Sequence, residues 1–244
     1  MIARRSALAF LAAAGSLALV RPHGAQAADK AETIAIIGTG EVGGTLGKRW
    51  AALGHKIIYG SRTPDADKVK TLVKDTAHGA TATTAKDAAS KADLVLLAIP
   101  RRAIKEVMAG LGDLSGKILI DPTNGVKVTD GRFESPPDQT TSNAEEIQAL
   151  APGAIVVKAL NTLSVEMMAD ARRGGGDISV PIAGEDAAAK IRVAAIVKTM
   201  GMDTMDMGGL YLSRYLEAMA RLRMAYRAKN RPNAFEFFLR PRRD

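Results

Sequence analysis

Thr33-Ile-Ala-Ile-Ile-Gly-Thr-Gly-Glu-Val-Gly-Gly-Thr-Leu-Gly47 is the stretch from which the rest of the chain can be read. Thr33 to Ile37 is a short β-rich apolar run, the pattern of a strand covered on both faces. It passes directly into Gly38-x-Gly40-x-x-Gly43, and from Val42 to Leu53 apolar side chains recur at helical spacing. Strand, glycine turn and helix in that order match a dinucleotide-binding turn. Gly38 suits the tight turn, Gly40 the close approach of a pyrophosphate, and Gly43 the close packing of helix on strand. The first amides of the helix and its dipole favour phosphate. The same glycines can also form a turn that binds nothing; the strand before, the helix after and the second strand that follows favour the nucleotide.

That second strand is Lys56-Ile-Ile-Tyr-Gly60. A site for NAD carries an Asp or Glu at its end, about 20 residues past the glycines, to bind the ribose hydroxyls. Here the end reads Gly60-Ser61-Arg62-Thr63, and no acid follows until Asp65. A carboxylate would repel a 2′-phosphate, whereas a hydroxyl and a guanidinium bind one. The expected cofactor is therefore NADP(H), with Ser61 and Arg62 as its selectors; the alternative is a surface arginine in a turn before Pro64.

The remaining strands follow the order of a doubly wound α/β sheet. A helix is expected from Asp65 to Thr76 with Pro64 in its first turn, a third strand over Ala80–Thr83, and a short helix over Thr84–Lys91. Asp93-Leu-Val-Leu-Leu-Ala-Ile-Pro100 is a continuous apolar run, as a central parallel strand should be. In the strand order 3-2-1-4-5-6 it neighbours the first strand, so Ala98, Ile99 and Pro100 border the cofactor. Arg101 and Arg102 then face the phosphates or cap the rim. Gly116–Asp121 is the fifth strand and Ala154–Ala159 the sixth, and their following loops place Asn124 and Asn161 on the ligand side. Asn124 with Gly125 is equally good turn chemistry. Between them, Val126 to Asn143 is polar, contains Pro136-Pro137 and reads as an irregular loop long enough to be a lid.

Further along, helices are expected over Val165–Ala171 and Asp186–Met200, and strands over Ile178–Ala183 and Met202–Met207, with Pro181 pointing to an edge. The last helix runs from Leu210 to Lys229. Its Tyr211, Tyr215, Met219, Leu222 and Tyr226 recur at helical spacing, the pattern of buried core or of a dimer interface. His55 and His78 show no partner in the sequence and read as structural.

Composition narrows the chemistry. The chain of 244 residues has no cysteine, which excludes disulfides and thiol nucleophiles, and its three histidines are not spaced as metal ligands. Aromatic residues make up 4%, so the core must be built from Ala, Val, Ile, Leu and Met. The net charge of +8 includes Arg4, Arg5 and Arg21 in the first 27 residues, which contain no acid. No basic segment carries interleaved aromatics, so solvated surface and an anionic cofactor explain the charge without nucleic acid. Residues 1–27 look like an export signal: Arg4-Arg5, an Ala-rich apolar stretch from Ala7 to Val20, and Ala25-Gln26-Ala27 before Ala28. The arginine pair next to Ser6 resembles a twin-arginine signal, which would send the folded protein to the bacterial periplasm. No stable membrane insertion is expected after cleavage; an uncleaved anchor is the alternative.

Taken as a set, Gly38-Thr-Gly-Glu-Val-Gly43, Gly54-His55, Gly60-Ser-Arg62, Leu96-Leu-Ala-Ile-Pro100, Gly116-Lys-Ile-Leu-Ile-Asp121, Thr123-Asn124, Lys158-Ala-Leu-Asn-Thr162 and Pro181-Ile-Ala-Gly184 resemble the coenzyme F420-dependent NADP oxidoreductases and their NADPH-dependent F420 reductase-like relatives. The resemblance spans about Thr33 to Tyr226. It implies a Rossmann NADP(H)-binding domain over 28–162 and a smaller, mostly helical region over 163–244 that shapes the acceptor cleft and a homodimer contact. Hydride would pass between nicotinamide and a deazaflavin (coenzyme F420), flavin or similar small-molecule acceptor. The cofactor-binding set is then Gly38, Thr39, Gly40, Glu41, Val42, Gly43, Ser61, Arg62, Ala98, Ile99, Pro100, Asn124 and Asn161, with no catalytic acid or base and no metal. Two other readings stand beside it. One is a non-catalytic NADP(H)-binding sensor or scaffold. The other is a dehydrogenase of small alcohols or imines, for which Lys158 and Asn161 are the proton-donor candidates.

Overall fold

The computed structural model describes residues 31–125, 127–129, 132–134, 140–229, 235–237 and 239–240. The expected leader and the paired prolines at 136–137 lie outside them. In chain order the elements are β1 (Thr33–Ile37), α1 (Glu41–Ala52), β2 (Lys56–Ser61), α2 (Asp67–Thr76), β3 (Thr81–Thr84), α3 (Ala85–Ser90), β4 (Leu94–Leu97), α4 (Ile104–Gly110), β5 (Ile118–Asp121), β6 (Lys127–Thr129), β7 (Arg132–Glu134), α5 (Asn143–Leu150), β8 (Ile155–Lys158), α6 (Val165–Ala169), β9 (Ser179–Ile182), α7 (Ala187–Thr199), β10 (Asp203–Asp206) and α8 (Ser213–Lys229).

Six strands form one parallel sheet in the order β3-β2-β1-β4-β5-β8. Counting only the strands of this sheet, that is the 3-2-1-4-5-6 order of a dinucleotide-binding fold. The strands read as continuous apolar runs because helices cover both faces. Ile34, Ile36, Leu94 and Leu96 join Leu46 and Trp50 in one buried layer. Ala35, Ile37, Val95 and Leu97 join Ile104, Met108 and Ile147 in the other. The first layer continues without a break into Met167, Val180, Val193 and Met200, so the C-terminal elements share the core of the sheet.

With so few aromatics, the large side chains need room made for them. Tyr59 is fully buried, and its hydroxyl pairs with Thr76 Oγ1 at 2.8 Å. A Cβ at Gly47 would sit 2.1 Å from that hydroxyl, so glycine in α1 is what lets the helix lie over the ring. His55 is buried at the start of β2, where its Nδ1 accepts from Glu32 N at 3.2 Å. It thus has a partner the sequence did not reveal, and burial lowers its pKa, outweighing the pull of Glu32.

β9 and β10 form a separate parallel pair joined by α7. The pair is attached to the main sheet where Lys158 N donates to Ala183 O (2.8 Å) and Ala183 N to Lys158 O (3.1 Å). Pro181 lies in this two-stranded pair, at an edge as its ring requires. Among the described residues no helix is long and apolar enough to cross a membrane.

Three expectations are corrected. Pro64 lies in a turn closed by Ala66 N to Thr63 O (3.1 Å), and α2 begins only at Asp67. The segment expected to be an irregular lid contains the antiparallel hairpin β6–β7, whose short polar strands have little apolar alternation to betray them. Of the two readings of the tyrosine stripe, buried core is the one that fails: Tyr211, just before α8, and Tyr215, Leu222 and Tyr226 within it are 42–65% exposed. The helix buries Ser213, Leu216, Glu217, Ala220 and Arg223 instead, a face too polar to read as core from sequence.

α5 is fixed at its start by a capping box in which Ser142 Oγ accepts from Glu145 N and Glu145 accepts from Ser142 N. Arg214 of α8 forks onto the same carboxylate at 2.6 and 2.8 Å. Burial raises the Glu145 pKa, but Arg214 and Ser142 together hold it below its ordinary value. A carboxyl lowered in the folded state contributes stability above its unfolded pKa and loses it as pH falls through the folded value. Glu145→Gln should therefore cost about 1 kcal/mol at neutral pH. That difference should fade below pH 4.5, the group's ordinary value, in urea unfolding series.

Candidate functional site

The carboxyl ends of β1, β2 and β4 open into a cleft of about 480 Å³. It forms where the chain leaves β1 for α1 on one side of the sheet and β4 for α4 on the other, the position where open α/β sheets bind ligands. Gly38 has φ +111°, and a Cβ there would meet Ala98 O at 2.2 Å. Its amide donates to Gly60 O (3.1 Å), tying the turn to the end of β2. A Cβ at Gly43 would stand 2.1 Å from Gly38 O. The turn thus closes tightly at two points, and both need glycine.

Gly40 differs from these. It faces open space, with nothing within 4 Å of a Cβ built there. It is the N-cap of α1 and supplies no side-chain cap, and the helix's first internal bond is Gly44 N to Gly40 O. The opening amides of α1 have no partner within the helix, which is the arrangement a phosphate fits.

The far wall carries Gly60, Ser61, Arg62, Thr63 and Lys68, and the near wall Ala98, Ile99, Pro100 and Arg102. Ser61 is 8% exposed, and its Oγ accepts from Thr63 N at 3.1 Å, leaving its hydroxyl proton free to donate. Arg62, Lys68 and Arg102 give the cleft a basic lining against a single acid, Glu106. Asp65, the first acid after β2, is not part of the lining.

Of the residues expected from the sequence, Gly38, Thr39, Gly40, Ser61, Arg62, Ala98, Ile99 and Pro100 come together here. Glu41, Val42 and Gly43 do not line the cleft: Gly43 acts through packing, and Glu41 is exposed on the first turn of α1. Asn124 and Asn161 lie further along, at the ends of β5 and β8. They hold each other, Asn124 Nδ2 to Asn161 O at 3.0 Å and Asn161 Nδ2 to Asn124 Oδ1 at 2.9 Å. Lys68 and Glu106 were missed. Lys68 has a legible signal, a lysine in the first turn of the helix that follows the selecting residues; Glu106 has none.

Beside the Asn pair lies a buried charge cluster that no motif announces. Lys158 is fully buried, and its Nζ donates to Asp121 (2.9 Å), to Glu217 (2.7 Å) and to Thr123 O. Glu217 reaches down from α8 and also accepts from Gly125 N (3.2 Å) and Asn143 N (2.8 Å). Burial pushes the Glu217 carboxyl up against the pull of Lys158. All three Lys158 protons are used, so the lysine is a clamp between β5, β8 and α8 and offers no proton to a substrate.

These features define a dinucleotide-binding protein of the doubly wound class, and comparison with known proteins carries this further. A family model for NADP oxidoreductase, coenzyme F420-dependent, matches residues 33–125. The crystal structure of a proposed F420-dependent NADP-reductase from Arthrobacter sp. FB24 is 32% identical, with a TM-score of 0.78, and the match covers 86% of this chain and 100% of that one. A hypothetical protein, SMa0349 of Sinorhizobium meliloti, is 30% identical with a TM-score of 0.65, over 73% of this chain and 86% of that one. The chain belongs to the coenzyme F420-dependent NADP oxidoreductase family. Metalloreductase STEAP3 of Rattus norvegicus is 29% identical over 195 residues, 80% of this chain and 38% of the relative. The chain thus spans little more than a third of the length of the curated relatives it matches. The fold also extends to a reductive aminase from Aspergillus terreus, 20% identical with a TM-score of 0.60, over 81% of this chain and 62% of that one.

The clamp gives a test of the C-terminal attachment. Lys158→Met leaves two carboxylates buried without their cation and should cost about 3–5 kcal/mol in chemical unfolding. Adding Asp121→Asn and Glu217→Gln to it should recover much of that loss.

Proposed function

We propose that this protein transfers a hydride between NADP(H) and a deazaflavin or flavin acceptor. The observation that carries the reading is the end of β2, where Ser61, Arg62 and Lys68 line one cleft with the glycine turn and no acid stands among them. When bound, the nicotinamide supplies or takes up the hydride. The chain's own residues do the remaining work. The α1 amides and Thr39 hold the pyrophosphate, and Ser61, Arg62 and Lys68 hold the 2′-phosphate by charge-assisted hydrogen bonds. Ala98 to Pro100 form an apolar shoulder for the nicotinamide end and keep water from it. Transfer between two ring systems requires alignment of the reacting carbons more than a protein acid or base. That agrees with a cleft lined by one carboxylate, Glu106, and three cations.

Export through residues 1–27 belongs to the same proposal. A protein exported folded would carry its nucleotide, so the purified protein should retain tightly bound NADP(H). Titration of nucleotide-free protein with NADPH and NADH is the direct test. NADPH should bind tighter, and Arg62→Ala should weaken NADPH by about tenfold to a hundredfold, the size of one lost charged partner, while leaving NADH nearly unchanged. Equal affinity for the two nucleotides in the wild type would sink the reading.

A further inference from the structure

Glu106 is the one acid in the lining of the cleft, and the binding of phosphates does not account for it. It shares that lining with Arg62, Lys68 and Arg102. A carboxylate in such a place weakens the hold on any anion, so it has a use only where the ligand brings it a donor. Its neighbour Lys105 turns to Glu146 at 4.0 Å, and Glu106 itself has no ion pair among the described residues. Its place in the first turn of α4 suits the helix dipole, but that requires no contact with the cleft.

The surroundings of the β2 end say which donor that is. With Ser61 and Arg62 on the 2′-phosphate, the base hangs from the neighbouring carbon of the same ribose, so it lies against whatever flanks that strand end. Ser61 stands opposite Thr84 in the sheet, and Ala85 opens α3 directly after it. A Cβ at Gly60 would meet Ala85 Cα at 2.9 Å, so α3 starts hard against the end of β2. α4 lies on the same face of the sheet, where its Ile104 and Met108 share one buried layer with Ala88 and Ala89 of α3. Half-buried Ala85, Ala103 and Val107, at the starts of these two helices, line the cleft, and Ala85 and Val107 pack on that layer. The result is an apolar slot beside the 2′-phosphate position with one carboxylate in its lining. A purine matches it, with apolar faces and a hydrogen-bonding edge.

We propose that Glu106 accepts a hydrogen bond from the exocyclic amine of adenine seated in this slot, and so selects adenine among the purines. This rests on the NADP(H) oxidoreductase reading and extends it from the phosphates to the base. Adenine carries an N–H donor at C6, where hypoxanthine and guanine carry a carbonyl oxygen. An ionised carboxylate only accepts, so it holds the first and repels the second. The cations of the cleft serve the phosphates and its carboxylate serves the base.

The experiment compares NADPH with reduced nicotinamide hypoxanthine dinucleotide phosphate, which differs from it only at the base. The nucleotide-free full-length protein is titrated with each, and binding is followed by the fluorescence of the reduced nicotinamide that both carry. NADPH should bind about tenfold tighter, the size of one hydrogen bond to a charged group. The ratio should fall towards one in Glu106→Ala, and also in Glu106→Gln, whose amide can donate to the hypoxanthine oxygen as well as accept from the amine. Glu106 is exposed, so neither variant disturbs the core. Removing its charge changes the hold on the phosphates equally for both nucleotides, and so would the loss of a purely structural role at the helix start; the ratio isolates the base. No preference for the adenine nucleotide in the wild type, or a preference that either variant keeps, overturns the inference. Wild-type protein that binds neither nucleotide, or binds NADH as tightly as NADPH, is a different result and would overturn the oxidoreductase reading itself.

Discussion

The cleft at the carboxyl ends of β1, β2 and β4 depends on the contact between the β1–α1 turn and the end of β4. Ala98 O lies where a side chain at Gly38 would be, and Gly38 O where a side chain at Gly43 would be. No rotamer change relieves a clash with backbone, so these two positions fix how closely α1 can approach the sheet and how far its first amides project over β4. Gly40, three residues before Gly43, has no such neighbour. Within one turn, two glycines are required by packing and one by the space it leaves empty.

The second constraint is electrostatic. Asp121, Lys158 and Glu217 place two negative charges and one positive charge in a fully dehydrated site. Such a cluster is poor evidence for high stability, because apolar residues of similar volume often do as well. Its value is geometric. It joins the ends of β5 and β8 to α8 and to the loop at Thr123–Gly125.

Much of this was legible in the sequence, and the boundary of legibility has a physical origin. A parallel sheet buried on both faces writes itself as apolar runs, so β1, β5 and β8 were placed within two residues and β4 within three. Ser61 and Arg62 line the cleft as expected because the fold ends β2 at its mouth. What escaped were contacts between segments far apart in the chain. Lys158 and Glu217 are 59 residues apart, and nothing local distinguishes them from surface charges. α8 misled for a related reason: its apolar stripe faces solvent, while its inward face carries a serine, a glutamate and an arginine.

One feature of the core has an optical consequence. The chain contains a single tryptophan, Trp50, fully buried in α1, with its indole N–H donating to Met200 Sδ at 3.2 Å across the seam with the C-terminal elements. The indole emission of the whole protein therefore comes from one site. That site lies on the helix whose N-terminus faces the cleft, and its neighbour belongs to the β9–α7–β10 unit. Its wavelength reports whether the two parts of the core are docked, free of the averaging that several tryptophans would impose.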